Sequence, residues 1–157
     1  MEQRKIFKYS FGILKPDCLK RNLVSKSFEL IESTGLKIIF YKKFKFKRSD
    51  VELLYKRCLD APWFNTLVKY LLSGDSIIYI TESYDDNRCA IEVLNEVTGF
   101  RIPSEAKPNT LRSLGENVCE NISHSTCDIE TFWQEVEHFL NKKEIKDLNL
   151  EDQKISK

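Results

Sequence analysis

The chain has 157 residues, of which 41% are hydrophobic and 31% charged, a composition that suits one globular domain and excludes a disordered protein. The net charge of +1 excludes a chain that binds nucleic acid through bulk positive charge. Five cysteines without metal-type spacing predict reduced thiols, and no apolar run approaches the ~20 residues that span a bilayer. We therefore expect a cytoplasmic protein with no membrane partner.

The first third of the chain predicts a strand, a helix and a second strand. Phe7–Leu14 is predicted as a buried strand that ends at Lys15-Pro16-Asp17. Residues 22–34 are predicted as an amphipathic helix that ends at Gly35. The near-alternation over Leu36–Lys47 predicts a long strand. Its predicted apolar face carries Ile38, Phe40, Phe44 and Phe46.

The middle of the chain predicts helices around one further buried strand. Residues 49–58 are predicted as a helix capped by its first or second residue, and a short helix follows Pro62. Ser76–Thr81 is predicted as the buried strand. A third helix is predicted to start at Asp85 or Asp86.

The last part of the chain completes the predicted fold. Residues 100–118 are predicted as a long loop, 121–125 as a short strand and 128–140 as an amphipathic helix. The element order predicts two βαβ-type halves on one antiparallel sheet, which is a ferredoxin-like α+β fold. Residues 1–140 are predicted as a single domain, and 141–157 as a polar, flexible tail.

The basic segment Lys42–Arg48 interleaves lysines with phenylalanines, a pattern that can also bind nucleic acid. In a strand, however, the phenylalanines and most of the lysines point to opposite faces. The alternation favours a solvated sheet face over a nucleic-acid site.

Several familiar functional motifs are absent from the sequence. It has no GxxxxGK[ST] phosphate loop, no GxGxxG dinucleotide turn and no GxSxG nucleophile elbow. Its histidines and scattered cysteines have no zinc-ligand spacing, so we expect no metal bound by side chains alone.

The chain contains only two histidines, His124 and His138. His138 lies within a predicted amphipathic helix, where a surface position is expected. His124 lies at a predicted strand-to-helix junction among hydroxyl side chains, where a helix N-terminus favours an anionic ligand. This spacing alone leaves a functional and a structural role for His124 equally open.

Four segments of the chain together carry a specific signal: Lys15-Pro16-Asp17, Ala61–Tyr70 followed by Ser73-Gly74, Lys107–Arg112 and Asn121–Thr126. In order and approximate spacing, over about residues 7–140, they resemble segments of the nucleoside diphosphate kinase family. The resemblance implies a ferredoxin-like fold and a phosphotransferase. Such an enzyme would move the terminal phosphoryl group of ATP to a nucleoside diphosphate by a ping-pong mechanism through phospho-His124. It also implies Mg²⁺ held by the nucleotide phosphates, and a homo-oligomer, with a hexamer favoured.

The resemblance assigns nucleotide contacts to four matched positions. Lys15 would neutralise phosphate and touch the sugar hydroxyls, with an exposed strand-end lysine as the alternative. Arg112 would bind phosphate in forked geometry, with a solvated loop arginine as the alternative. Asn121 would meet the sugar, with a structural turn as the alternative. Trp63 would stack on the base, with a core position as the alternative.

Three further matched positions surround the histidine. Tyr55 would hydrogen-bond near the transferring group, with simple helix packing as the alternative. Thr126 and Glu135 would orient His124, with a helix cap and a surface helix position as the alternatives.

The sequence also departs from the family's pattern. Asn95 stands where the family has a phosphate-binding arginine, Arg101 replaces a threonine, and Ser125 and Cys127 replace a glycine and an aspartate. Asn109 replaces a loop glycine, and the interval from residue 112 to 124 is one residue short. We expect Arg101 to supply the cation missing at position 95. These departures support the alternative function, a catalytically weak or inactive family member that acts as a nucleotide-binding or assembly module.

Overall fold

A four-stranded antiparallel sheet organises the protein, as the computed structural model shows for residues 6–154. The strands lie in the order β2-β3-β1-β4, and each neighbouring pair is antiparallel. They are β1 (Tyr9–Leu14), β2 (Leu36–Lys45), β3 (Asp75–Ser83) and β4 (Ser123–Ser125). This sheet with its packed helices confirms the predicted ferredoxin-like α+β fold.

Helices connect the strands and cover both faces of the sheet. They are α1 (Pro16–Lys20), α2 (Val24–Glu32), α3 (Arg48–Leu54), α4 (Phe64–Leu71), α5 (Ala90–Thr98), α6 (Ile129–Phe139) and α7 (Lys142–Asp147). Short 3₁₀ turns cover Pro103–Glu105, Arg112–Leu114 and Leu150–Gln153.

Alternating residues of the central strands pack into two hydrophobic cores, one on each face of the sheet. Phe11 and Ile13 of β1 pack on one face with residues of α3, α4 and α6, whereas Leu14 packs on the other face with residues of α2 and α5. Tyr79 of β3 lies across β1 at Gly12, where a Cβ atom would come within 2.3 Å of its hydroxyl oxygen. Only glycine therefore allows this ring to lie flat against the sheet.

A β-bulge changes the predicted faces of β2. The register with β3 shifts between Ile38 and Phe40, so Ile39 is an extra residue in the strand. Phe40 packs in the core with α6, but Ile38 packs in the core with α2 and α5. The prediction that Ile38 shares a face with Phe40 and Phe44 is wrong, because one extra residue reverses the alternation.

Two helices begin at different residues from those predicted. Helix α3 begins at Arg48, and the carboxylate of Asp50 accepts the Lys47 backbone N–H at 2.7 Å. Asp50 is therefore an N3 residue, not the cap. Helix α5 begins only at Ala90, because Asp85 accepts the Asn87 backbone N–H at 2.8 Å and forms a turn instead.

The segment after Asn141 is folded in the part that the structure describes. The Asn141 side chain caps α7 by accepting the Glu144 backbone N–H at 2.8 Å. Ile145 and Leu150 are buried in the core that contains Phe11. The prediction of a flexible tail is therefore wrong for residues 141–154, because apolar side chains attach this polar segment to the domain. Residues 155–157 of the predicted tail lie outside the described residues.

Candidate active site

The His124 imidazole is held by a carboxylate of α6. His124 lies in β4 opposite Ile13 of β1, on the sheet face that α3 and α6 cover. Its Nε2 atom lies 2.6 Å from Oε1 of Glu135, and the Thr126 hydroxyl donates to Oε2 of the same carboxylate at 3.3 Å. Glu135 is buried, so a surface-helix role does not apply. Because the carboxylate accepts the Nε2 proton, the lone pair of the imidazole lies on Nδ1.

A cleft of about 280 Å³ opens beside His124, between the end of α3 and the beginning of α6. Tyr55 lines it, and its ring centroid lies 6.4 Å from that of His124. Burial raises the pKa of the Tyr55 hydroxyl to about 12, which keeps the phenol protonated at physiological pH. Arg57, Cys58 and Cys127 also line this cleft, although the sequence analysis assigned it none of them. The cleft gives the histidine access to a ligand.

A buried lysine lies at the end of β1. Lys15 is only 3% exposed, and its Nζ atom donates to Oδ1 of Asn121 at 2.7 Å. Burial, and secondarily the charge of Arg112, lower the Lys15 pKa from its ordinary value of 10.5 to about 7. The negative charge of a phosphate bound beside Lys15 would favour the protonated lysine.

Arg112 is oriented by backbone carbonyl groups. Its Nε atom donates to the Ser123 carbonyl at 3.1 Å, and Nη1 donates to the Gly99 carbonyl at 3.2 Å. Burial lowers the pKa of its guanidinium. Since neither bond involves a carboxylate, the positive charge remains available to an anionic ligand.

The structure places the side chains of Trp63 and Arg101 at the surface. Trp63 precedes α4 and is 44% exposed, and it is outside the set of residues that line the cleft. The Arg101 side chain is exposed, while its carbonyl accepts the Asn121 Nδ2–H at 2.9 Å. The loop that carries Arg101 therefore lies beside Lys15 and Asn121.

Two departures from the family's pattern contact each other. The Ser125 hydroxyl donates to Oδ1 of Asn95 at 2.7 Å and so joins β4 to α5.

Asn109, which replaces a loop glycine, has a φ of 63°, a left-handed conformation that asparagine tolerates. The loop that carries Asn109 thus keeps a glycine-like turn without glycine.

Asp17 and Tyr70 form a polar pair that contacts this site and was not among the predicted site residues. Tyr70 donates to Oδ1 of the buried Asp17, whose Oδ2 accepts the Ile122 backbone N–H at 3.1 Å. Ile122 has a φ of 77°, and the residues on either side of it are hydrogen-bonded, since the Ser123 backbone N–H donates to the Asn121 carbonyl at 2.9 Å. This is a γ-turn, a conformation that costs on the order of 1–3 kcal/mol for a β-branched residue. The only sequence signal for Asp17 and Tyr70 was that both lie in segments that resemble the family.

His138 lies on α6 away from this cleft. Its Nε2 atom lies 2.7 Å from Oδ1 of Asp50 in α3, and the side chain is 33% exposed. It therefore holds two helices together at the surface and does not face His124.

No helix within residues 6–154 has the length and apolar character needed to cross a membrane. The same residues also contain no cluster of three or more histidine, cysteine, aspartate or glutamate side chains that could hold a metal ion.

Comparison with known proteins identifies the family. A family model described as nucleoside diphosphate kinase matches residues 8–145. A nucleoside diphosphate kinase from Rickettsia felis is 33% identical over 138 residues, which cover 87% of this chain and 96% of that protein. One from Campylobacter concisus is 31% identical over 137 residues, which cover 87% of this chain and 97% of that protein.

Solved structures of the same family share the fold. The apo nucleoside diphosphate kinase of Encephalitozoon cuniculi aligns with a TM-score of 0.79 at 25% identity, over 87% of this chain and 91% of that chain. The Halobacterium salinarum protein in complex with CDP aligns with a TM-score of 0.79 at 24% identity, over 88% of this chain and 90% of that chain. The chain belongs to the nucleoside diphosphate kinase family and is a phosphotransferase.

Proposed function

We propose that this enzyme transfers the terminal phosphoryl group of ATP to a nucleoside diphosphate by a ping-pong mechanism through phospho-His124. The observation that carries the proposal is the bond from Nε2 of His124 to the buried Glu135, which leaves the Nδ1 lone pair as the nucleophile. Nδ1 forms a bond to the γ-phosphorus as the bond from that phosphorus to the β,γ-bridging oxygen breaks, and ADP leaves. In the second half, a β-phosphate oxygen of the acceptor attacks the phosphohistidine and frees the imidazole.

Cations near His124 support this chemistry, because phosphoryl transfer depends on positioning and charge neutralisation. The half-buried Arg112 supplies one positive group, and the buried Lys15 supplies a second once a bound phosphate favours its protonated form, while Asn121 holds Lys15 in place. We propose that Arg101, whose own backbone carbonyl accepts a hydrogen bond from Asn121, adds a third cation.

The remaining matched residues are proposed to complete the nucleotide site. Tyr55 donates a hydrogen bond near the transferring group, and its raised pKa keeps it a donor. Trp63 stacks on the base from its exposed position, which suits broad base specificity. The Halobacterium salinarum protein, which shares this fold, was solved in complex with CDP.

Magnesium enters this proposal as part of the substrate, bound to the nucleotide phosphates. The donor set at the site fits this arrangement, because its lysine, arginine and asparagine are suited to a phosphate and not to a bare cation. A homo-oligomer, with a hexamer favoured, and a cytoplasmic location stay predictions from the sequence.

The test is incubation with γ-³²P-labelled ATP, followed by acid treatment. The proposal expects an acid-labile label on the wild type and none on the His124→Gln variant. An unlabelled wild type that still binds nucleotide would support the alternative, a catalytically inactive nucleotide-binding or assembly module.

A further inference from the structure

The buried Asp17 and the half-buried Tyr70 form a polar link between α1, α4 and the turn at Ile122. Asp17 lies in α1, two residues after Lys15, and Tyr70 lies in α4. The Tyr70 hydroxyl donates to Oδ1 of Asp17 and accepts the Asp17 backbone N–H at 2.9 Å. Burial and this hydrogen bond raise the pKa of Tyr70, so it stays a donor.

The other oxygen of Asp17 holds the turn that precedes the nucleophile. Oδ2 accepts the Ile122 N–H at 3.1 Å, and the Lys15 N–H donates to the Ile122 carbonyl at 2.8 Å. Both backbone groups of Ile122 are therefore bound by the segment that carries Lys15. Ile122 separates Asn121, which binds Lys15 Nζ, from the strand that carries His124.

We propose that Asp17, held by Tyr70, is a positioning residue that fixes the γ-turn at Ile122 and thereby the placement of Lys15 relative to His124. The inference rests on the proposed function. It assigns a reaction role to two residues that do not contact the nucleotide in that proposal. A β-branched residue adopts a positive φ only when its surroundings enforce it, and Asp17 supplies one of the enforcing hydrogen bonds.

The charge of Asp17 has a second effect, on Lys15. The charged and titratable groups that act on the Lys15 ammonium are Arg112 from its 3₁₀ turn, Asp17 from α1 and Cys119 from the preceding loop. Arg112 lowers the Lys15 pKa, whereas Asp17 raises it. Asp17 therefore helps to keep Lys15 protonated near neutral pH, in addition to holding the turn.

Two conservative variants separate these effects. Tyr70→Phe removes only the hydroxyl that holds Asp17, and Asp17→Asn removes the charge but keeps the size. For Tyr70→Phe we expect at least a tenfold lower single-turnover rate of His124 labelling, a dissociation constant for ADP within threefold of wild type and an unchanged titration of Lys15. For Asp17→Asn we expect a similar loss of rate and a Lys15 titration that moves to lower pH. Tyr84→Phe, at an exposed tyrosine, is the matched control.

The measurements are rapid-quench labelling, ADP binding and NMR titration of ¹³C-methylated Lys15. A merely structural role would lower thermal stability and leave the labelling rate per folded molecule and the Lys15 titration unchanged. Wild-type labelling rates in both variants would overturn the inference. If Asp17→Asn does not fold, the labelling rate of Tyr70→Phe decides. A wild type that is never labelled would overturn the proposed function, while the Lys15 titration in Asp17→Asn would still report whether Asp17 acts on Lys15.

Discussion

The Nε2 atom of His124 and Oε1 of Glu135 are 2.6 Å apart, and the carboxylate is buried. A buried carboxylate that accepts the proton of one imidazole nitrogen fixes both the ring orientation and the tautomer. Thr126 binds the second oxygen of that carboxylate at 3.3 Å and so restrains its rotation. The three side chains therefore present Nδ1 as the free nitrogen.

Replacing Glu135 by glutamine should slow phosphorylation of His124. The amide keeps the shape of the side chain but loses the charge that stabilises the imidazole once Nδ1 is bonded. We expect a loss on the order of 100-fold in the single-turnover labelling rate, with little change in nucleotide affinity. Glu137→Gln, on the exposed side of the same helix, is the control. A wild-type labelling rate in Glu135→Gln would contradict the orienting role.

Nucleotide binding should be coupled to protonation of Lys15. The pKa of this lysine is about 7, so at pH 8 most of the free protein carries a neutral amine at this position. A bound phosphate favours the charged form, so binding takes up a proton and weakens as pH rises above 7, by at most tenfold per pH unit. Calorimetry of Mg·ADP binding at pH 8, in buffers of different ionisation enthalpy, should show an uptake approaching one proton per site. The same uptake in Lys15→Met would assign the proton to another group.

The periodicity of the sequence was sufficient to predict the fold class, but not the local irregularities. The bulge at Ile39 adds a single residue to β2, and no turn residue marks it in an otherwise alternating strand. The segment after Asn141 is mostly polar, and Ile145 and Leu150 are too few to show a periodicity. Their burial depends on a core that only the folded chain provides.

Most residues of the candidate site could be predicted from the matched motifs, because each motif is a short continuous segment of the sequence. The contacts between motifs were not predictable in this way. The Ser125–Asn95 hydrogen bond joins residues 30 positions apart, and the Tyr70–Asp17 bond joins residues 53 apart. Such pairs depend on how β4, α1, α4 and α5 pack, which the spacing of one sequence does not encode.

Restoring a cation at position 95 should tighten nucleotide binding. Asn95 now binds Ser125, so the informative variant is the double substitution Asn95→Arg with Ser125→Gly. One added charge-assisted contact should lower the dissociation constant of Mg·ADP about tenfold or more at moderate salt, and this gain should shrink as salt rises. Ser125→Gly alone removes the hydrogen bond without adding charge and should give no such gain. An affinity of the double variant equal to that of Ser125→Gly would exclude position 95 from the phosphate site.

Removing the Arg101 side chain should have the opposite effect. If its guanidinium reaches the bound phosphates, Arg101→Ala loses a charge-assisted contact, and the affinity for Mg·ADP should fall at least about tenfold. Lys45→Ala, at an exposed lysine of β2, removes the same charge from a distant strand and serves as the control. Unchanged affinity of Arg101→Ala at moderate salt would show that this side chain does not compensate for Asn95.

Truncating Leu150 should destabilise the whole domain. Leu150 is fully buried in the core that contains Phe11, although it lies in the segment that the polar composition assigned to a flexible tail. A buried leucine replaced by alanine loses its transfer free energy and leaves a cavity, so the free energy of unfolding should fall by about 2–5 kcal/mol. Equilibrium urea unfolding measures this, with Lys146→Ala as an exposed control on α7. A loss below about 0.5 kcal/mol would mean that the segment is not part of the cooperative core, because substitutions at exposed sites typically have effects of that size.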